Sequence, residues 1–133
     1  MRWITSRIKW IMIVAGALTC TMAYAVIAPQ AALLSTFGES LQGPVAEIVV
    51  RNWGALITLI GAMLIYGAFN PANRRLVLVV AGISKVVFIL LILAYGSQYL
   101  SRAGVAVVVD SVMIGLFAIY LVSARASELS DSR

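Results

Sequence analysis

The sequence predicts an all-α fold, an integral membrane four-helix bundle running up-down-up-down within one domain, residues 1–133. Three observations predict it. Of the 133 residues, 62% are apolar and 11% charged, against about half and about a quarter in a soluble globular domain. Ten basic and five acidic side chains cannot clothe a small soluble protein, so most of the exterior faces lipid. The apolar residues also fall into four runs, each near the roughly 20 residues that a helix needs to cross the hydrocarbon. Finally, the links between runs carry turn chemistry and two of the three are short, which sets neighbouring helices antiparallel.

The first span runs from Trp10 to Ala28 without a charge, the second from Val45 to Phe69, the third from Leu76 to Leu100 and the fourth from Ala103 to Ser123. Stretches such as Leu76–Val80 and Val105–Val109 are β-prone in water. In lipid every backbone amide must be satisfied within its own segment, so length decides for helix. The breaks fall at Ala28-Pro29, Gly43-Pro44, Asn70-Pro71 and Ser101-Arg102 ahead of Gly104. The longer first link, residues 29–44, carries Leu33, Leu34, Phe37 and Leu41 at helical spacing. It is expected to lie along the interface or fold back over the bundle. No repeat or low-complexity tract interrupts the pattern.

Arg2, Arg7 and Lys9 ahead of an apolar run ending near Ala23-Tyr24-Ala25 also fit a secretory signal. The expectation is that this segment is retained as the first helix, and Thr19 before Cys20 is a poor match to a lipoprotein site. Loop charges set the orientation. With the N-terminus cytoplasmic, Arg2, Arg7, Lys9, Arg74, Arg75, Arg125 and Arg133 fall inside, with Glu128 and Asp131. Outside are Arg102 and Glu39. The net charge of +5 is therefore a topological signal carried on the cytoplasmic side, and nucleic acid is not expected as a partner. Trp3, Trp10, Tyr95 and Tyr99 fit interfacial anchors.

Histidine is absent and Cys20 is the single cysteine, which excludes histidine-ligated zinc or haem, Ser-His-Asp or Cys-His catalysis and an internal disulfide. Cys20 lies in an apolar run with no basic neighbour and reads as a packing residue. No metal site, resident cofactor or nucleotide loop is expected.

Four ionisable groups fall inside the spans: Glu47, Arg51, Lys85 and Asp110. Each costs roughly 2.5–3.5 kcal/mol at mid-bilayer, so each needs a partner or water. Glu47 and Arg51 are i and i+4 on one helical face. At 1.5 Å per residue Arg51 lies about 9 Å deep, Asp110 about 10 Å and Lys85 about 15 Å, so all four can meet in the outer half of the bundle. Two acids balance two bases. One reading is an ion-pair network that fixes helix order and register. The other is a polar pocket open to the outer leaflet, with Asn52, Trp53, Ser84 and Ser111 supplying hydrogen-bonding groups and an aromatic wall for a lipid, an amphiphile or a quinone-like head group.

Ala46-Glu47-x3-Arg51-x2-Gly54 opening the second span, Asn70-Pro71 closing it, Gly82-x2-Lys85 in the third and Asp110 in the fourth resemble the small bacterial four-helix membrane proteins of the DoxX-like group. The resemblance covers most of the chain and implies a multi-pass protein of the bacterial inner membrane. Some relatives in that group resemble subunits of quinone-linked sulfur oxidoreductases. The basic residue of the third span is typically Arg in that pattern and the acid of the fourth Glu, so Lys85 and Asp110 keep the charges with a different reach. Small multidrug exporters also have four short spans, but they rely on a Glu in the first helix, and Trp10–Ala28 contains no acid.

The leading expectation is a non-enzymatic accessory or interaction subunit, assembled with other membrane proteins or with copies of itself through faces rich in small residues. The alternative is a small-molecule binder or carrier using Glu47, Arg51, Asn52, Lys85, Asp110 and Ser111. An enzyme subunit handling a quinone stands third.

Overall fold

Four helical stretches, Trp3–Ile27, Pro44–Phe69, Pro71–Tyr95 and Ser97–Ser127, are long and apolar enough to cross a membrane. The shortest has 25 residues, about 37 Å of helix against a hydrocarbon core about 30 Å thick. The computed structural model describes residues 2–131, with no strand among them. Arg133 lies outside the described residues, as do the side chains of Arg2, Glu128 and Asp131.

Helix α1, Arg2–Cys20, tightens into a 310 turn at Thr21–Ala23 and resumes as α2, Tyr24–Ile27. The hydroxyls of Thr19 and Thr21 donate back to the carbonyls of Ala15 and Leu18 at this tightening. Pro29, whose fixed φ suits the first helical position, starts α3, Pro29–Phe37. Gly38 ends it at φ 80°, a left-handed cap whose N–H donates to the Leu34 carbonyl. Helix α4, Pro44–Phe69, and helix α5, Pro71–Tyr95, also start on proline and are separated by Asn70 alone. Arg74 donates to the carbonyls of Gly67 and Ala68, satisfying groups the end of α4 leaves open. After Gly96 and a 310 turn at Ser97–Tyr99, helix α6 runs Leu100–Asp131.

Several helix ends lie beyond the apolar runs, while α5 stops at Tyr95, short of Leu100. Helix α1 begins well before Trp10, α5 begins at Pro71 rather than Leu76, and α6 continues past Ser123. Hydropathy marks where lipid begins, and polar flanking residues extend the same helix beyond it. The last break lies at Gly96–Tyr99, not at Ser101-Arg102, which places Arg102 in the first turn of α6.

The long helices pack in a ring, α1 on α4, α4 on α5, α5 on α6 and α6 on α1. The α1–α4 contact is the most extensive of the four and α1–α6 the sparsest. Ile8 and Met12 of α1, Leu64 and Ala68 of α4, Leu78 of α5 and Phe117 of α6 fill the centre. This core occupies the half of the bundle nearer the start of α1. The other half is roofed by α3, which packs against α4 and α6.

Candidate functional site

Three polar side chains sit where that core ends. On α5, Lys85 follows Leu78 and Ala81 at helical spacing, on α6 Asp110 precedes Met113 and Phe117, and on α1 Thr19 follows Met12 and Ala15. Each continues the buried stripe of its own helix, so the packing that builds the core also brings the three together. The Lys85 Nζ donates to Asp110 Oδ1 at 2.5 Å and to Thr19 Oγ1 at 3.5 Å. The Thr19 hydroxyl donates in turn to the Ala15 carbonyl at 2.7 Å, leaving its lone pair to face the ammonium. Lys85 is 7% exposed. A charge so deep persists because a carboxylate of opposite sign and a hydroxyl replace its water.

Beside this pair lies a cavity of about 380 Å³, within the roughly 300–1,000 Å³ typical of ligand pockets. Trp53, Ile57 and Phe88 form apolar wall, and Ser84, Thr36 and Arg102 bring polar groups to it. The roof is held by contacts among α3, α4 and the 310 turn before α6. Phe37 lies tilted at 6.0 Å from Trp53 and edge-on at 5.7 Å from Tyr99, ring centre to ring centre. The Tyr99 hydroxyl donates to Glu39 at 2.9 Å, and the hydroxyls of Tyr24 and Ser35 share a hydrogen bond. Tyr99 thus pins the link after α3 in addition to standing at a helix end.

The four intramembrane charges form two couples, not one cluster. Glu47 and Arg51 approach to 4.0 Å with side chains 51% and 44% exposed, and Arg51 also donates to the Val26 carbonyl. Neither lines the cavity. The buried line of α4 runs through Val50, Gly54, Gly61 and Leu64. Arg51 and Asn52 stand one and two residues beyond Val50, about 100° and 200° around the helix. Glu47 lies in the first turn of α4. Asn52 is exposed and outside the cavity, and Ser111, one residue past Asp110, is exposed with its hydroxyl donating to the Val107 carbonyl. Of the six candidates the structure brings Lys85 and Asp110 together at the cavity; Trp53 and Ser84 also line it.

Arg102 and Thr19 are the residues that sequence reasoning missed. Arg102 makes no hydrogen bond or ion pair among the described residues, and its guanidinium packs over Gly38, with Nε 3.2 Å from where a Cβ would stand. A signal for it existed, since on the orientation expected from the loop charges it is the one arginine of a link that falls on the outer side.

No family model, curated protein or solved structure matches the chain.

Proposed function

We propose that this protein is a non-enzymatic binder of a small membrane amphiphile, held in the cavity beside Lys85 and Asp110. On this reading it is a DoxX-like protein of the bacterial inner membrane, folded up-down-up-down with both termini cytoplasmic. The observation that carries it is the cavity of about 380 Å³ placed against a charged pair. A purely structural ion pair is best packed shut, because space beside it admits water and weakens the attraction. Here apolar wall, hydroxyls and charge converge on one space, as binding sites for molecules with a polar head and an apolar body require.

A second reading is an accessory subunit seated on a larger membrane partner or on copies of itself. The observation favouring it is α6, the least covered of the four spans, which turns Val108, Ser111, Val112 and Gly115 outward. The glycines Gly16, Gly54 and Gly61 lend it no support, since Gly16 and Gly61 are spent on the contact between α1 and α4, and Gly54 on the 310 turn and α2.

Native mass spectrometry of the full chain extracted in mild detergent separates the two. The binder reading expects a discrete small molecule retained at one per chain, lost in Lys85→Met and in Ala106→Phe, which fills the cavity without touching the ion pair. A protein partner or a discrete oligomer with no retained small molecule overturns it in favour of the accessory reading.

A further inference from the structure

The geometry points to a single-chain amphiphile with an anionic head group as the occupant, its head held by Arg102 and its chain reaching the lipid between α1 and α6. This rests on the binder reading above. Charge decides the head group. Lys85 is neutralised by Asp110 at 2.5 Å, so among the described charges lining the cavity the guanidinium of Arg102 is left without a counter-charge. Arg102 is itself exposed, at the mouth of the cavity, and an unpaired guanidinium there favours an anionic head over a neutral one through charge-assisted hydrogen bonds. Thr36 on the roof and Ser84 on α5 also line the cavity, and their hydroxyls make no hydrogen bond among the described residues. They are donors available to the same oxygens. Arg presents a planar fork of donors that suits carboxylate and phosphate alike.

The sparse α1–α6 seam decides the route of the chain. On its outer side runs an apolar groove of about 520 Å³, formed by Trp10 and Val14 from α1 and by Val108, Val112 and Leu116 from α6. Leu18, Val109 and Met113 line both this groove and the cavity. The two spaces are therefore parted by three flexible or small apolar side chains where helix contact is thinnest. The seam on the other side of α1 offers no such opening, because α1 and α4 meet backbone to backbone at Gly16 and Gly61. Along α6, Arg102 and Leu116 are about 21 Å apart, against about 15 Å for the acyl chain of one leaflet. A chain and its head group fit this length.

Carboxylate and phosphate head groups share this chemistry, and the test tells them apart. Purified full chain in a maltoside detergent is titrated with palmitate, with palmitoyl lysophosphatidate and with the neutral palmitoyl monoglyceride. Both anions are expected to bind at least about tenfold tighter than the neutral ester, a difference in the range of one charge-assisted hydrogen-bond set. Tighter binding of palmitate assigns the site to a carboxylate, and tighter binding of the lysophosphatidate to a phosphate. Arg102→Gln should erase the preference for anions and leave the neutral ester unchanged, while Arg102→Lys keeps most of it. Val109→Trp, which plugs the shared wall, should weaken all three. Equal binding of neutral and anionic chains, or an anion preference that survives Arg102→Gln, overturns the head-group assignment and leaves the binder reading standing. Unchanged affinities in Val109→Trp overturn the route between α1 and α6. Binding of none of the three to the unaltered protein removes the binder reading itself.

Discussion

Gly16 of α1 and Gly61 of α4 face each other so closely that each occupies the space a side chain on the other would need. A Cβ on Gly16 would lie 2.7 Å from the Gly61 carbonyl oxygen, and one on Gly61 would lie 2.8 Å from the Gly16 carbonyl oxygen and 2.6 Å from Cys20 Sγ. The neighbours are mostly backbone, so the helices themselves must part to admit a methyl group. This contact anchors the most extensive interface of the ring and, by closing one side of α1, leaves the α6 side as the looser one.

Gly16→Ala and Gly61→Ala are therefore each expected to destabilise the fold by about 1–3 kcal/mol, the usual cost of overpacking a closed contact. The double variant should cost less than the two together, because one separation of the helices accommodates both methyls. Gly82, with open space around its Cβ position, is the control. Gly82→Ala should be neutral or stabilising by up to about 1 kcal/mol through helix propensity alone. Thermal unfolding in detergent followed by circular dichroism reads all four, and equal effects at Gly61 and Gly82 would show that the close approach is not made.

The two charged couples should respond to mutation in opposite ways. Lys85→Met leaves Asp110 without its cation in a space where the side chain is 18% exposed, and loss of one partner of such a pair costs about 3–5 kcal/mol. Adding Asp110→Leu should recover most of that loss, since a well-packed apolar pair often replaces a buried ion pair at little cost. Glu47→Gln should cost under about 1 kcal/mol, because its pair with Arg51 is about half exposed and loosely formed. The same unfolding measurement checks this series. A double variant no more stable than Lys85→Met would mean that Asp110 does not depend on Lys85.

What was legible in the sequence and what was not divides along a physical line. The four spans follow from the solvent, because each apolar run needs its own helix to satisfy its backbone. Lys85 and Asp110 stand out for the same reason, as costly charges that need partners. Which charges pair is a matter of helix rotation, and a difference of one residue, as between Val50 and Arg51, turns a side chain about 100° away from the core. The expectation that all four can meet rested on depth and on Glu47 and Arg51 sharing a face of the second span, whereas the line of α4 turned to the core runs through Val50, Gly54, Gly61 and Leu64. Arg102 was hidden for a different reason. Placing the last break at Ser101-Arg102 made it a loop charge, whereas Gly96 ends α5 earlier and sets Arg102 within α6, facing the cavity. Roofing by α3 was anticipated as one of two outcomes, but the pairing of Phe37 with Trp53 and Tyr99 depends on residues far apart in the chain.

The orientation can be tested apart from the site. Arg7, Lys9, Arg74, Arg75 and Arg125 flank three apolar spans and the return between α4 and α5, and positive flanks of short loops stay in the cytoplasm. In a Cys20→Ala background, Ser6→Cys, Ser40→Cys, Asn73→Cys and Ser127→Cys each place one thiol at an exposed position near a different helix end. A membrane-impermeant maleimide applied to intact spheroplasts should label Ser40→Cys alone, and all four after permeabilisation. Labelling of Ser6→Cys and Ser127→Cys from outside, with Ser40→Cys protected, would invert the protein in the membrane. It would move the Arg102 mouth of the cavity to the cytoplasmic leaflet, so the same experiment decides which leaflet supplies the amphiphile. Ser6→Cys and Ser127→Cys reacting on opposite sides would be incompatible with four spans, because an even number of crossings returns the chain to the side on which it began.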